Sequence, residues 1–196
     1  MRSPNLLEIT LKVTSVLEKL GITYYIGGSF ASSAFGIARA TLDVDLVADV
    51  KTEHVAAIEE ALRDDFYIDK EMILEAIKRR TSFNLIHLET AFKVDVFIVK
   101  DRSLSRSALM RRLKRNISED SSLELYFASP EDIILAKLEW YKSSGAIAEQ
   151  QWVDILGVIK VQGSSLDLGY LKKWAAEISV SDLLIKALQE GEISLS

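Results

Sequence analysis

Two short segments constrain this chain more than anything else in it. Residues 42–47 (Leu-Asp-Val-Asp-Leu-Val) and 92–99 (Phe-Lys-Val-Asp-Val-Phe-Ile-Val) alternate with the period of two that belongs to a β-strand. In the first, the alternation puts Asp43 and Asp45 on one face with Cα atoms about 6–7 Å apart, and leaves Leu42, Val44 and Leu46 for a core. In the second, Asp95 is the lone acid in a strand otherwise fit for burial. If the two strands are neighbours, three carboxylates share one patch. Two unit charges about 5 Å apart, at an effective dielectric near 20, repel by roughly 3 kcal/mol. Such a patch must raise a pKa or collect a cation. Oxygen-only donors favour Mg²⁺ or Mn²⁺ over zinc or copper.

Upstream, 23–26 reads as a strand that runs into Gly27-Gly28-Ser29, and 29–35 as a short helix. A strand–Gly-Gly-Ser–helix junction lets backbone N–H groups approach an anion at a helix N-terminus. The helix end contributes only about 0.3–2 kcal/mol toward an anion. A triphosphate therefore needs the metals as well, and glycines and aspartates read best as one metal–triphosphate site.

The remaining elements follow from periodicity and caps. Helices are expected over 6–20 (ended by Gly21), 52–62, 71–80 and, in a basic stretch, 102–115; strands over 66–68, 82–88, 92–99 and 123–128. Ser129-Pro130-Glu131-Asp132 is a strong helix start, with a capping hydroxyl, a proline at the first helical position and acids in the first turn. Beyond it only helices are expected, with Trp140, Trp152 and Trp174 as their core. The expected class is α+β: a mixed β-sheet flanked by helices over 1–128 and a helical C-terminal subdomain over 129–196.

Composition narrows the chemistry. At 196 residues, 48% apolar and 27% charged, the chain can bury a real core. It has no cysteine, which excludes disulfides, thiolate zinc sites and a cysteine nucleophile. His54 and His87 lack metal-ligand spacing, and no Walker lysine or Gly-x-Ser-x-Gly motif occurs. The early charge at Glu8 and the glycines and serines within 20–38 argue against a leader or a membrane span, so a cytoplasmic setting is expected. A net charge of −5 argues against a protein that coats nucleic acid. Arg102, Arg106, Arg111, Arg112, Lys114 and Arg115 form a local basic cluster, either an acceptor platform or a solvated face.

The string Gly27-Gly28-Ser29, Asp43-Val44-Asp45 and Asp95 resembles the signature of the nucleotidyltransferase superfamily, whose minimal core is like that of DNA polymerase β. With Gly36, Arg39-x-Thr41 and the later Ser129-Pro-Glu-Asp-Ile-Ile-Leu-Ala-Lys137-Leu138, it is similar to the abortive-infection type IV toxin branch. The resemblance implies attack of an acceptor on the α-phosphate of an NTP, with pyrophosphate leaving. It implies that Asp43 and Asp45 hold Mg²⁺ or Mn²⁺ ions, and that Asp95 ligates the catalytic one and helps to deprotonate the acceptor. Gly27, Gly28 and Ser29 would cradle phosphates, Arg39 and Thr41 would orient the loop or touch phosphate, and Lys137 would serve the nucleotide, with Asp154 nearby. The implied acceptor is a protein side chain or an RNA end, and the implied partner is the other member of a toxin–antitoxin or defence pair. One departure stands out: Gln151 occupies the place of the arginine in that branch's Arg-x-x-Asp. It keeps open an inactive module of the same fold that binds nucleotide or protein without turnover.

Overall fold

The computed structural model describes residues 4–38, 40–117, 123–145 and 148–192. In chain order its elements are α1 (Leu6–Lys19), β1 (Tyr24–Ile26), α2 (Gly28–Phe35), β2 (Asp43–Ala48), α3 (Val55–Leu62), β3 (Phe66–Tyr67), α4 (Lys70–Arg79), β4 (Ser82–His87) and β5 (Lys93–Ile98). There follow α5 (Ser103–Arg111), β6 (Leu113–Asn116), β7 (Glu124–Phe127), α6 (Pro130–Ser143), α7 (Glu149–Gln162), α8 (Leu168–Glu177) and α9 (Ser181–Glu190). They fall into two compact units: Met1–Gly27 with Thr41–Phe127, and Gly28–Ala40 with Ala128–Ser196.

The first unit is built on one mixed sheet, in the order β3-β4-β5-β2-β1-β7-β6 among the described residues. β2 runs parallel to β5 and β1 parallel to β7; the other pairings are antiparallel. The apolar beats Val44, Leu46 and Ala48 of β2 and Val94, Val96 and Ile98 of β5 are buried. Each of the valine, leucine and isoleucine side chains contributes about 1.5–3 kcal/mol of burial. A one-residue slip in register would exchange them for the aspartates, so the pairing is strongly specified. Leu42, expected to share that core face, is exposed because the ladder begins at Asp43. α1 packs on β2 and α3, and α4 on β4 and β5. α1 opens with a capping box: the Asn5 side chain accepts from the Glu8 N–H at 3.0 Å, and the Glu8 carboxylate accepts from the Asn5 N–H at 2.8 Å.

The basic helix expected over 102–115 is shorter in the structure. α5 stops at Arg111, Arg112 turns extended (φ −50°, ψ 141°), and Leu113–Asn116 becomes β6, paired antiparallel with β7. Helix propensity in that stretch yields to an available strand edge. β6 is exposed along its whole length and closes one side of the sheet with Lys114 and Arg115, residues that discourage further edge pairing.

The second unit is helical among its described residues. α6 packs on α2, α7 and α8, and α7 also on α2 and α9. α6 starts as expected: the Ser129 hydroxyl accepts from the Asp132 N–H at 3.2 Å and donates to the Asp132 carboxylate at 2.7 Å, and Pro130 sits in the first turn. At the α2–α7 crossing a Cβ on Gly36 would lie 2.8 Å from the Val158 backbone nitrogen and 2.9 Å from the Gly157 carbonyl carbon. Only glycine permits that approach. Of the tryptophans expected in the core, Trp174 is buried, Trp152 is half-buried and Trp140 is exposed on the outer face of α6. No helix among the described residues is long and apolar enough to cross a membrane.

Candidate active site

β2 and β5 pair in parallel with Asp45 opposite Asp95 and Asp43 opposite Lys93. Paired strands lie about 4.8 Å apart and alternate residues about 6–7 Å apart, so the three aspartates and Lys93 form a quadrilateral on one sheet face. Asn84 of β4 is the cross-strand neighbour of Asp95 and extends the polar patch. All five side chains are half-buried, while the beats between them are buried. The juxtaposition expected from the two alternating segments is therefore present within the first unit.

Protein groups already engage the carboxylates. The Lys93 ammonium lies 2.7 Å from Asp95 Oδ2. The Thr41 hydroxyl donates to Asp43 Oδ1 at 2.9 Å and lies 3.1 Å from the Asp43 carbonyl, tying the approaching loop to the start of β2. The hydrogen bond to Asp95 raises the Lys93 pKa above the ordinary lysine value, desolvation opposes it, and the charges of Asp95, Asp43 and Asp45 raise it further. All three aspartates thus act on one cation. With Asp95 drawn to Lys93 and Asp43 to Thr41, no group of three or more His, Cys, Asp or Glu side chains among the described residues converges to hold a metal ion. The donor chemistry nonetheless fits a hard divalent cation: carboxylate oxygens alone, on adjacent strands, in a patch that already attracts positive charge.

The other expected site residues are distributed as follows. The Gly27 N–H donates to the Asp45 carbonyl at 2.8 Å, which carries the β1–β2 pairing one residue past β1, beside the patch. Gly28 and Ser29 open α2 in the second unit, Gly28 in the left-handed region at φ +55° that favours glycine. Arg39 lies outside the described residues. Lys137 belongs to the second unit, where its ammonium donates to Asp154 Oδ2 and to Gln151 Oε1, both at 2.8 Å. The side chains of Lys137 and Asp154 are 6% and 4% exposed, and Gln150 Nε2 donates to the other Asp154 oxygen at 3.2 Å. Gln151 supplies a neutral acceptor to the Lys137 ammonium, whereas a cationic side chain at that position would oppose it.

Lys93 and Asn84 were not singled out from the sequence. Their signal lay in the period-two pattern: Lys93 is two residues from Asp95, and Asn84 alternates with the buried Phe83 and Leu85. The two histidines are structural. His54 Nδ1 accepts from the Lys51 N–H at 3.1 Å, and the buried His87 meets the Thr90 hydroxyl at 3.0 Å in the β4–β5 turn. A separate concavity of about 510 Å³, lined by Thr14, Glu18, Tyr24, Arg112, Lys114 and Tyr126 among others, shares no lining residue with the carboxylate patch.

No protein-family profile matches the chain, and no curated protein sequence matches it. Among solved structures it is similar to the antibiotic-resistance factor ANT(2'')-Ia, with TM-score 0.54 and 12% identity over 95% of this chain and 99% of that one. It is also similar to an antigenic nucleotidyltransferase-like protein from Paracoccidioides brasiliensis, with TM-score 0.51 and 20% identity over 92% of this chain and 91% of that one. The chain therefore has an α+β, nucleotidyltransferase-like fold.

Proposed function

We propose that this chain is a divalent-metal-dependent nucleotidyltransferase that moves NMP from an NTP to an acceptor, releasing pyrophosphate. The observation that carries the reading is the side-by-side register of Asp45 and Asp95 on parallel strands, with Asp43 two residues before Asp45 on the same face. Asp43, Asp45 and Asp95 would hold Mg²⁺ or Mn²⁺. When bound, the metal neutralises the triphosphate and stabilises charge that develops during transfer. The chain's own contribution is positional. β2 and β5 fix the spacing of the three acids through a buried register, and Thr41 holds the Asp43 carboxylate and carbonyl in place. Phosphoryl and nucleotidyl transfers depend mostly on such positioning and on electrostatics, so a missing carboxylate weighs far more than a missing surface charge.

The acceptor in this reading is a protein side chain or an RNA end. Its setting is a toxin–antitoxin or defence pair, supported by the string Arg39-x-Thr41-x-Asp43-Val44-Asp45. Calorimetric titration of each NTP in the presence of Mg²⁺ tests the binding half. At least one NTP is expected to bind at submillimolar concentration, with Asp45→Asn weakening it about tenfold or more. Absence of NTP binding at millimolar ligand would remove the enzyme reading.

A further inference from the structure

Given a metal site on the acid patch as proposed above, Lys93 acquires a role of its own. It sits two residues before Asp95 on β5 and opposite Asp43 on β2, so its stem rises from the same face as all three carboxylates. Its Nζ is 2.7 Å from Asp95 Oδ2. The Asp95 side chain is 14% exposed and that of Lys93 is 41% exposed. The acid is therefore held by the sheet, while the lysine, a compact charge on a flexible four-carbon stem, has solvent to swing into. An ammonium and a divalent cation compete for the same carboxylate oxygens.

We propose that Lys93 is the resident counter-ion of the acid patch and is displaced by the divalent metal, so that metal binding is an exchange of cations. The exchange explains how half-buried carboxylates can stand together on one sheet face in the metal-free protein. It also sets the metal affinity below what three carboxylates alone would give. Any nearby ammonium repels a divalent cation through space, so displacement is marked by the release of the Lys93 ammonium on metal binding as well as by the affinity.

Mn²⁺ binding, followed by the loss of the free-ion paramagnetic resonance signal, tests this on wild type, Lys93→Gln and Lys93→Arg. Lys93→Gln is expected to bind Mn²⁺ about tenfold tighter than wild type, and Lys93→Arg, which keeps the charge, to stay within about twofold. Equal affinities for wild type and Lys93→Gln would overturn the counter-ion role and leave the metal reading intact. Failure of both proteins to bind Mn²⁺ would overturn the two together. A second readout needs no substitution. Acetylation of Lys93 in the wild-type protein, located by mass spectrometry, is expected to quicken when Mn²⁺ is added, and an unchanged rate would likewise overturn the exchange.

Discussion

Replacing Lys137 with methionine would strand the carboxylate of Asp154 in a setting that is 4% exposed, and would leave Gln151 Oε1 without this donor. Breaking a buried pair from one side typically costs about 3–5 kcal/mol, because the remaining charge loses its counter-charge where little water can replace it. Lys137→Met is therefore expected to lower the unfolding free energy by about that amount, measured by urea denaturation. The double change Lys137→Met/Asp154→Leu should recover most of the loss. A single variant within about 1 kcal/mol of wild type would show that the pair is not the keystone its burial indicates. The same side chain shows what a sequence can and cannot give at this scale. The resemblance alone drew attention to Lys137, Gln151 and Asp154, whereas the hydrogen bonds that join them across 14 and 17 residues emerge only when α6 and α7 pack. Lys93 is the opposite case: its partner Asp95 lies two residues on along the same strand, so the pair was present in the period-two pattern, and only the approach of Asp43 from β2 is non-local.

At the level of elements, the segments whose signal is local were legible. The start of α6 was readable because Ser129, Pro130, Glu131 and Asp132 each act within one turn. That start carries more than an ordinary cap, since the Asp132 carboxylate is buried and accepts from both the Ser129 and the Tyr170 hydroxyls, at 2.7 and 2.8 Å. Ser129→Ala is therefore expected to cost about 2–3 kcal/mol in thermal or chemical unfolding, above the ~1 kcal/mol of a simple N-cap. A loss below about 0.5 kcal/mol would mean that water replaces the serine without penalty. β2 and β5 were legible because burial on one beat and polarity on the other is a strong period-two pattern. β6 was not. Its residues, Leu113-Lys-Arg-Asn, are all exposed, so no alternation records the strand, and its conformation comes from pairing with β7. The basic cluster is consequently divided between a helix and an edge strand, with Lys114 paired to Glu124 and the Arg112 guanidinium 4.4 Å from the centre of the Tyr126 ring.

For the whole molecule, the fold class was readable from the order of elements, while the neighbour relation of β2 and β5 was expected through the resemblance and not from any local signal. The strands are separated in sequence by α3, β3, α4 and β4, and they come together because both bury aliphatic beats on the same side of one sheet. That non-local pairing makes one acidic patch out of two segments far apart in sequence. It places Asp43, Asp45 and Asp95 in one compact unit, on β-strands whose register is fixed by buried valines, isoleucine and leucine rather than by loops. Transfer of label from an α-labelled NTP tests this account most directly. The wild-type protein with Mg²⁺ or Mn²⁺ and an extract of protein and RNA acceptors should deliver labelled nucleotide to an acceptor, chelation should stop it, and Asp43→Asn, Asp45→Asn and Asp95→Asn should each reduce it at least a hundredfold. Label that stays with the nucleotide while metal and NTP are bound, or transfer that survives loss of all three carboxylates, would contradict it.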